Sequence, residues 1–479
     1  MTGKSTYRSL LYKTLDHSLE HLESLAASPV TTPVNYADLY ARLDHPLTGA
    51  GADPETVLND MVADSRGSIT GSAGGRFFGW VRGGSLPAAL AADWLTSTWD
   101  QNASIYASGP AVAVMEEIAG KWIKELLMLP EKASIGFVTG SQMAHVTCLA
   151  AARHHLLAKH GHDVEADGLS GAPKIRILTG SHRHGSIDRA VRLLGLGRNS
   201  VVDLPLNAQG QLTSETLEQA LKDHTGQPVI VLLQAGDLNI GVFDPFDELI
   251  PLAHNYGAWV HVDGAFGLWV AASPKFRHLV NGYEQADSWV TDGHKWLNVP
   301  YDCGYAIIAH PDAHFAAMAY QASYMVYNKE ARDPLDWNPE WSRRARGVAT
   351  YAAIRQLGAD GVADLVERTC GYAHDLVMRI GELPGAVTVS VPRINQGLVR
   401  YLDPSPNATE ADHDRWTDRV IEKIQLTGEA FFGGTTWQGK RCMRVSVCNW
   451  QTTPDDVERA VNAVKGVLER LTSSSKNLK

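Results

Sequence analysis

The stretch from Asp287 to His310, DSWVTDGHKWLNVPYDCGYAIIAH, sets two short apolar runs on either side of a histidine and a lysine. DSWVT and CGYAIIAH each read as a buried strand. A lysine ordinarily trails into water, so Lys295 stands where an ammonium group is out of place. Toward the N-terminus the same kind of run recurs in alternation with helical patterns. SIGFVTG precedes a helix from Met143, KIRILTG precedes SIDRAVRLLGLG, PVIVLLQAG precedes FDELIPLAHNYG, and WVHVDGA follows. Alternating strands and helices require crossover connections, which predicts an α/β fold with a mainly parallel central sheet and helices on both faces. Ligands of such sheets bind at the C-terminal ends of the strands, and that is where the polar residues of these runs cluster.

The flanking regions have other patterns. Residues 1–105 are helical in pattern, with Leu10, Leu11, Leu15, Leu19 and Leu22 at helical spacing in the first segment. Beyond about residue 371, VTVSV, GLVRYL and CMRVSVCNW read as strands, followed by the helical DDVERAVNAVKGVLERL. The expected division is a helical segment over 1–105, an α/β domain over 106–370 and a small α+β domain over 371–479. The N-terminal hundred residues have amphipathic helices but little core of their own, so a second subunit is expected to cover them.

The bulk numbers narrow the function classes. The 479 residues are 44% hydrophobic and 20% charged, with a net charge of −10, which leaves no basic footprint for nucleic acid or an anionic membrane. The apolar runs fall short of the roughly 18 residues a membrane-spanning helix needs. The N-terminus lacks the order of regions that marks a secretory signal. Five scattered cysteines without a C-x-x-C pattern argue against a disulfide framework or a structural zinc site, and for a reducing cytoplasm.

Four strand ends carry the candidate chemistry. TGSQMAH, Thr139–His145, enters a helix whose free N–H groups could hold an anion, or it is a plain strand-to-helix turn. GSHRHGS, Gly180–Ser186, has two histidines that could stack on a planar ring or simply face solvent; no third ligand stands nearby for a metal. In WVHVDGAFG, Asp263 ends an apolar strand, where a carboxylate needs a cation, good hydrogen bonds or a capping role. Lys295, if desolvated, would have a lowered pKa and become a nucleophilic amine; otherwise it snorkels to the surface. Taken together, an amine, a carboxylate, an anion cradle and a flat group are what a pyridoxal phosphate site requires.

HVDGAFG, followed about thirty residues later by DSWVTDGHKWLNVPYDCG, strongly resembles the group II pyridoxal-phosphate-dependent amino-acid decarboxylases, which include aromatic-L-amino-acid and glutamate decarboxylases. Supporting segments are RFFGWVRGGSLPAALAADWL, HGSIDRA, AGDLNIGVFDP and MRVSVCNWQTTPDDVERAV, so the resemblance covers nearly the whole chain. It implies the fold type I (aspartate aminotransferase-like) architecture and a homodimer with intertwined N-terminal segments. It implies that Lys295 forms the internal aldimine with pyridoxal 5'-phosphate and that Asp263 pairs with the pyridinium nitrogen. Ala265 would lie under the ring and His184, rather than His182, over it. Ser141 and Gln142 would hold the phosphate, with Asp292 and His294 adjacent and Asn239 near the cofactor's O3′. An ionised carboxylate repels a phosphate, so Asp292 is expected to act through a water or a hydroxyl.

The implied reaction is loss of CO₂ from the α-carbon of an L-amino acid, followed by protonation of a quinonoid. In aromatic-amino-acid decarboxylases a loop tyrosine delivers that proton. In YQASYMVYNKEARDPLDWNPEWSRRARG, anchored on Trp337 and the Arg343-Arg344 pair, its position falls on or near Pro334, which has no proton to give. Tyr324, Tyr327 and His184 are the substitutes. Relatives without the tyrosine pass the same intermediate to oxygen, so a decarboxylating aldehyde synthase, or an aminotransferase-like activity, is the alternative outcome. Trp80 and Arg82 are the substrate-side candidates, Trp80 for an aromatic or apolar side chain and Arg82 for a second carboxylate. A hydrolase is disfavoured because no G-x-S-x-G elbow stands at a strand end. A non-enzymatic regulator is disfavoured because no fused DNA-binding module is visible.

Overall fold

A computed structural model of the chain describes residues 3–320 and 331–476. The chain divides into two compact units, one of Met1–Arg82, Asp375–Val391 and Leu398–Lys479, the other of Gly83–His374 and Pro392–Gly397.

The larger unit is built on seven strands: β1 (Ser134–Val138), β2 (Arg176–Gly180), β3 (Val201–Leu204), β4 (Val229–Gln234), β5 (Trp259–Asp263), β6 (Ser288–Asp292) and β7 (Gly304–Ile308). Their order across the sheet is β1-β7-β6-β5-β4-β2-β3. β7 runs antiparallel to both of its neighbours, and the β3-β2-β4-β5-β6 run is parallel. The mainly parallel α/β sheet expected from the alternating pattern is what forms. β4 to β7 are almost wholly buried, which is why they read as continuous apolar runs and not as alternating ones.

The register places the functional ends together. Val138 and Asp292 both pair with Gly304, and Gln234 pairs with Asp263. Glycine at 304 is a steric requirement: an added Cβ would lie 2.5 Å from Gly140 Cα and 2.6 Å from Asp292 Oδ1. After β1 the chain enters the helix Ser141–Lys159, which packs across β7, β6, β1 and β5. Its buried face is alanine-rich, so the helix axis can lie close to the sheet.

The smaller unit has a four-stranded sheet of β8 (Ala386–Ser390), β9 (Gln396–Tyr401), β10 (Gly433–Trp437) and β11 (Lys440–Ser446), in the order β10-β11-β9-β8. Gln438 and Gly439, both with positive φ, form the two-residue turn between β10 and β11. The helices Glu410–Leu426 and Pro454–Lys476 complete the unit's C-terminal part.

These boundaries differ from a division at residues 105 and 370. Arg76 is 2% exposed and donates to the carbonyls of Ala26, Ser28 and Glu429, while Phe77 bridges to Phe431 and stacks on its ring at 4.6 Å. Long-range bonds of this kind tie residues 3–82 to the C-terminal sheet. The helix Pro87–Trp99 belongs to the larger unit instead. Composition along the chain carries no trace of such pairings.

Candidate active site

The strand ends open onto a cavity of 660 Å³ within the larger unit, lined among others by Ser141, Gln142, His184, Asp263, Ala265, Asp292, His294 and Lys295. Eight of the nine residues expected to contact the cofactor therefore face one space. The ninth, Asn239, is on the adjacent turn with its N–H on Asp237 Oδ1 at 2.9 Å; its neighbours Gln234, Gly236 and Leu238 line the cavity.

Lys295 is placed by the turn after β6. Trp296 and Leu297 are 1% exposed, and the Trp296 indole donates to Thr369 Oγ1 at 2.9 Å. Asn298, at a left-handed φ of 58°, accepts the Gly84 N–H at 2.7 Å and donates to Trp296 O at 2.8 Å. The segment from Gly83 lies so close beneath the turn that a Cβ on Gly83 would fall 2.0 Å from Lys295 O. With both neighbours of the turn pinned, the lysine side chain has one way out, into the cavity.

The Lys295 ammonium lies 3.0 Å from Asp292 Oδ2. Burial pushes the ammonium toward deprotonation, but Asp292 outweighs it with help from Asp263, so Lys295 is held above the ordinary lysine value. Desolvation alone predicts the opposite sign, and the neighbouring carboxylates reverse it. Burial likewise pushes Asp292 up, and Lys295 and His294 together hold it below the usual carboxylate range. His294, 3.6 Å from Asp292 and stacked on Tyr301 at 4.3 Å, is held below the ordinary imidazole value by burial, with Asp292 opposing.

Asp292 Oδ1 accepts the Ser141 N–H at 2.6 Å. That N–H is the first of the helix Ser141–Lys159, where the positive end of the helix dipole favours an anion. The Ser141 hydroxyl beside it is buried without a hydrogen-bond partner. An orphaned donor next to a helix N-terminus fits a phosphate, and the cavity, the lysine and Asp263 fit the rest of pyridoxal phosphate.

Also lining the cavity, His184 caps the helix Gly185–Leu193, with Nδ1 accepting the Ser186 N–H at 3.2 Å. An amide can only donate, so the His184 proton is on Nε2. Gln142 donates to Ser186 O at 3.3 Å and joins the two helix N-termini. Asp263 Oδ1 accepts the Ala265 N–H at 3.2 Å, which fixes the carboxylate at the end of β5.

The cavity lining does not include the other expected residues. Trp80 and Arg82 belong to the smaller unit, where Trp80 packs on Phe77 and Phe431 and the Arg82 guanidinium lies over the Phe77 ring at 5.8 Å. Tyr324 and Tyr327 fall outside the described residues. Pro334 is buried at the start of a short 3-10 turn, its carbonyl accepting from Asn338 at 2.7 Å. Sequence reasoning missed Gln234, Arg189 and Tyr301 in the cavity wall. Gln234, the last residue of β4, could have been found by the rule that parallel strands end at the ligand.

Known proteins match this chain over most of its length. The pyridoxal-dependent decarboxylase conserved domain matches residues 43–399. The chain is 23% identical over 474 residues to the aromatic-L-amino-acid decarboxylase of Bacillus atrophaeus, covering 98% of this chain and 96% of that one. It is 23% identical over 448 residues to the 4-hydroxyphenylacetaldehyde synthase of Rhodiola rosea, covering 91% and 88%. The crystal structure of Oryza sativa TDC with PLP and tryptamine superposes with a TM-score of 0.91 at 22% identity, over 98% of this chain and 99% of that one. The chain belongs to the pyridoxal-dependent decarboxylase family.

Proposed function

We propose that the chain is a cytoplasmic, homodimeric pyridoxal-phosphate-dependent L-amino-acid decarboxylase. The observation that carries the reading is the Lys295 ammonium at the wall of a cavity that also holds Asp263, His184 and a helix N-terminus with an unpartnered serine hydroxyl. Bound there, the cofactor supplies an aldehyde that bonds amines and a ring that withdraws electrons from the substrate α-carbon. Lys295 would bond that aldehyde, and Asp263 would hold a proton on the ring nitrogen. Ser141 and Gln142 would bind the phosphate, Ala265 and His184 would enclose the ring, and Asp292 with His294 would set the charge around Lys295.

Purified protein should show a visible absorbance band that borohydride removes, and Lys295→Ala should lose the coloured adduct. Survival of the adduct in that variant would overturn the assignment. An amino-acid panel should give amine and CO₂ in equal amounts.

A second reading keeps the same site and changes the product. Buried Pro334 at the position expected for a proton-donating tyrosine favours it, and an aldehyde synthase stands among the relatives. Aldehyde, ammonia and peroxide with O₂ consumed would establish that outcome in place of the amine.

A further inference from the structure

Behind Asp263 lies a chain of polar side chains that the site described above does not use. His145, on the helix Ser141–Lys159, has Nε2 3.6 Å from Asp263 Oδ2. Its Nδ1 is 3.0 Å from Nε2 of His261, the third residue of β5. His261 Nδ1 is in turn 2.8 Å from Ser288 Oγ, which accepts the Trp259 indole N–H at 2.9 Å. His145, His261 and Ser288 are all 0% exposed and Trp259 is 2% exposed. His145 Nε2 is buried with no hydrogen-bond partner, so Asp263 is the polar group ahead of it.

The direction of the chain follows from which groups can only donate and which can only accept. Burial pushes both imidazoles down, Asp263 pulling His145 only partly back, so each is neutral and bears one N–H. Trp259 can only donate to Ser288. If the serine hydroxyl donates onward to His261 Nδ1, then His261 carries its proton on Nε2 and donates it to His145 Nδ1. The His145 proton is then on Nε2, pointing at the Asp263 carboxylate. The reverse direction would set a nitrogen lone pair against that buried carboxylate, which is costly in a low-dielectric interior. Only one direction satisfies every member.

We propose that His145 is a positioning residue for Asp263: its Nε2–H, oriented by the chain Trp259–Ser288–His261, keeps the carboxylate aimed at the cofactor's ring nitrogen. The inference rests on the reading of Asp263 as the partner of that nitrogen. A carboxylate deprived of this donor is freer to turn and grips a protonated ring nitrogen less well. The motif HVDGA therefore contributes two functional groups, Asp263 facing the cavity and His261 on the same face of the strand two residues earlier.

The test combines tautomer determination with a mutant cycle. ¹⁵N NMR of the cofactor-free protein should find the protons of both His145 and His261 on Nε2; a His145 proton on Nδ1 overturns the inference whatever the variants do. His145→Leu should raise the dissociation constant for pyridoxal phosphate roughly tenfold. His145→Gln, which keeps a donor at similar reach, should restore most of that loss. In an Asp263→Asn background His145→Leu should add less than about twofold, because the partner it acts through is gone. An undiminished tenfold loss in that background would mean a merely structural role and would overturn the inference. If Asp263→Asn itself binds the cofactor as tightly as the parent, the assignment of Asp263 falls and this inference with it, even with both protons on Nε2.

Discussion

At the scale of single residues, the charge of Lys295 sets how the protein takes up its cofactor. Only the free amine can attack an aldehyde, yet Asp292 at 3.0 Å keeps the ammonium protonated above the ordinary lysine range. Because the folded value is raised, the favourable ion pair is present below the ordinary value and is lost as pH climbs through the raised one. Capture of pyridoxal phosphate by cofactor-free protein should therefore accelerate with pH and not level off before about pH 10. Asp292→Asn keeps an acceptor for the Ser141 N–H and removes the charge. Its capture profile should move to lower pH, since burial then acts on Lys295 with less opposition. Stopped-flow absorbance measures both profiles, and superimposable curves would show that Asp292 does not control the amine.

At the scale of elements, the end of the sheet away from the cavity is held by Asp287, just before β6. Its carboxylate accepts the Val260 N–H at 2.6 Å and faces His254 Nε2 at 3.0 Å and His310 Nε2 at 2.7 Å, while its carbonyl accepts the Ala309 N–H. One side chain thus joins β5, β6, the end of β7 and the helix Phe246–Asn255. Burial pushes its pKa up, but these donors win and hold it from 3.8 down to about 2. That depression corresponds to roughly 2 kcal/mol, present above the ordinary carboxylate range and lost as pH falls toward about 2. His254 is raised, chiefly by its hydrogen bond to Asp287, so its share is present below the ordinary imidazole value and lost as pH rises through the raised one. Urea unfolding should find Asp287→Asn less stable by about 2 kcal/mol near pH 6, with the gap closing below about pH 3. A gap independent of pH would mean that packing, and not charge, supplies the clamp.

At the scale of the whole molecule, the N-terminal helices are short of partners. Tyr7, Leu11, Tyr12, Leu15 and Leu19 on the helix Gly3–Ser24 are exposed, and the helices Tyr36–Leu43 and Pro54–Ser65 bury no residue. A row of exposed apolar side chains this long marks an interaction surface, which supports the homodimer proposed above. Sedimentation should give a species of twice 52.1 kDa. Replacing Leu11, Leu15 and Leu19 together by Asp should shift it to the monomer and cut activity; an active wild-type monomer would remove the dimer from the proposal. Much of this architecture was legible beforehand, because β4 to β7 are bounded, apolar and separated by crossover patterns. Division of the chain at Arg82 was not, because Arg76 finds its carbonyl partners some fifty and some 350 residues away.

The sequence by itself determined the fold class and which strand ends meet. Right-handed crossovers and a parallel sheet leave few arrangements, and each places the ends of β1, β4, β5 and β6 at one edge, so Ser141, Asp263 and Lys295 converge. What only the tertiary structure decided is the state of those groups. Desolvation alone would have lowered the pKa of Lys295, and a carboxylate at 3.0 Å raised it instead. His145 reads as one more residue of an alanine-rich helix until the helix lies against β5 and brings its imidazole to Asp263 and His261. Electrostatic energy depends on separation in space and on exclusion of water, and neither is a property of neighbouring positions in a chain.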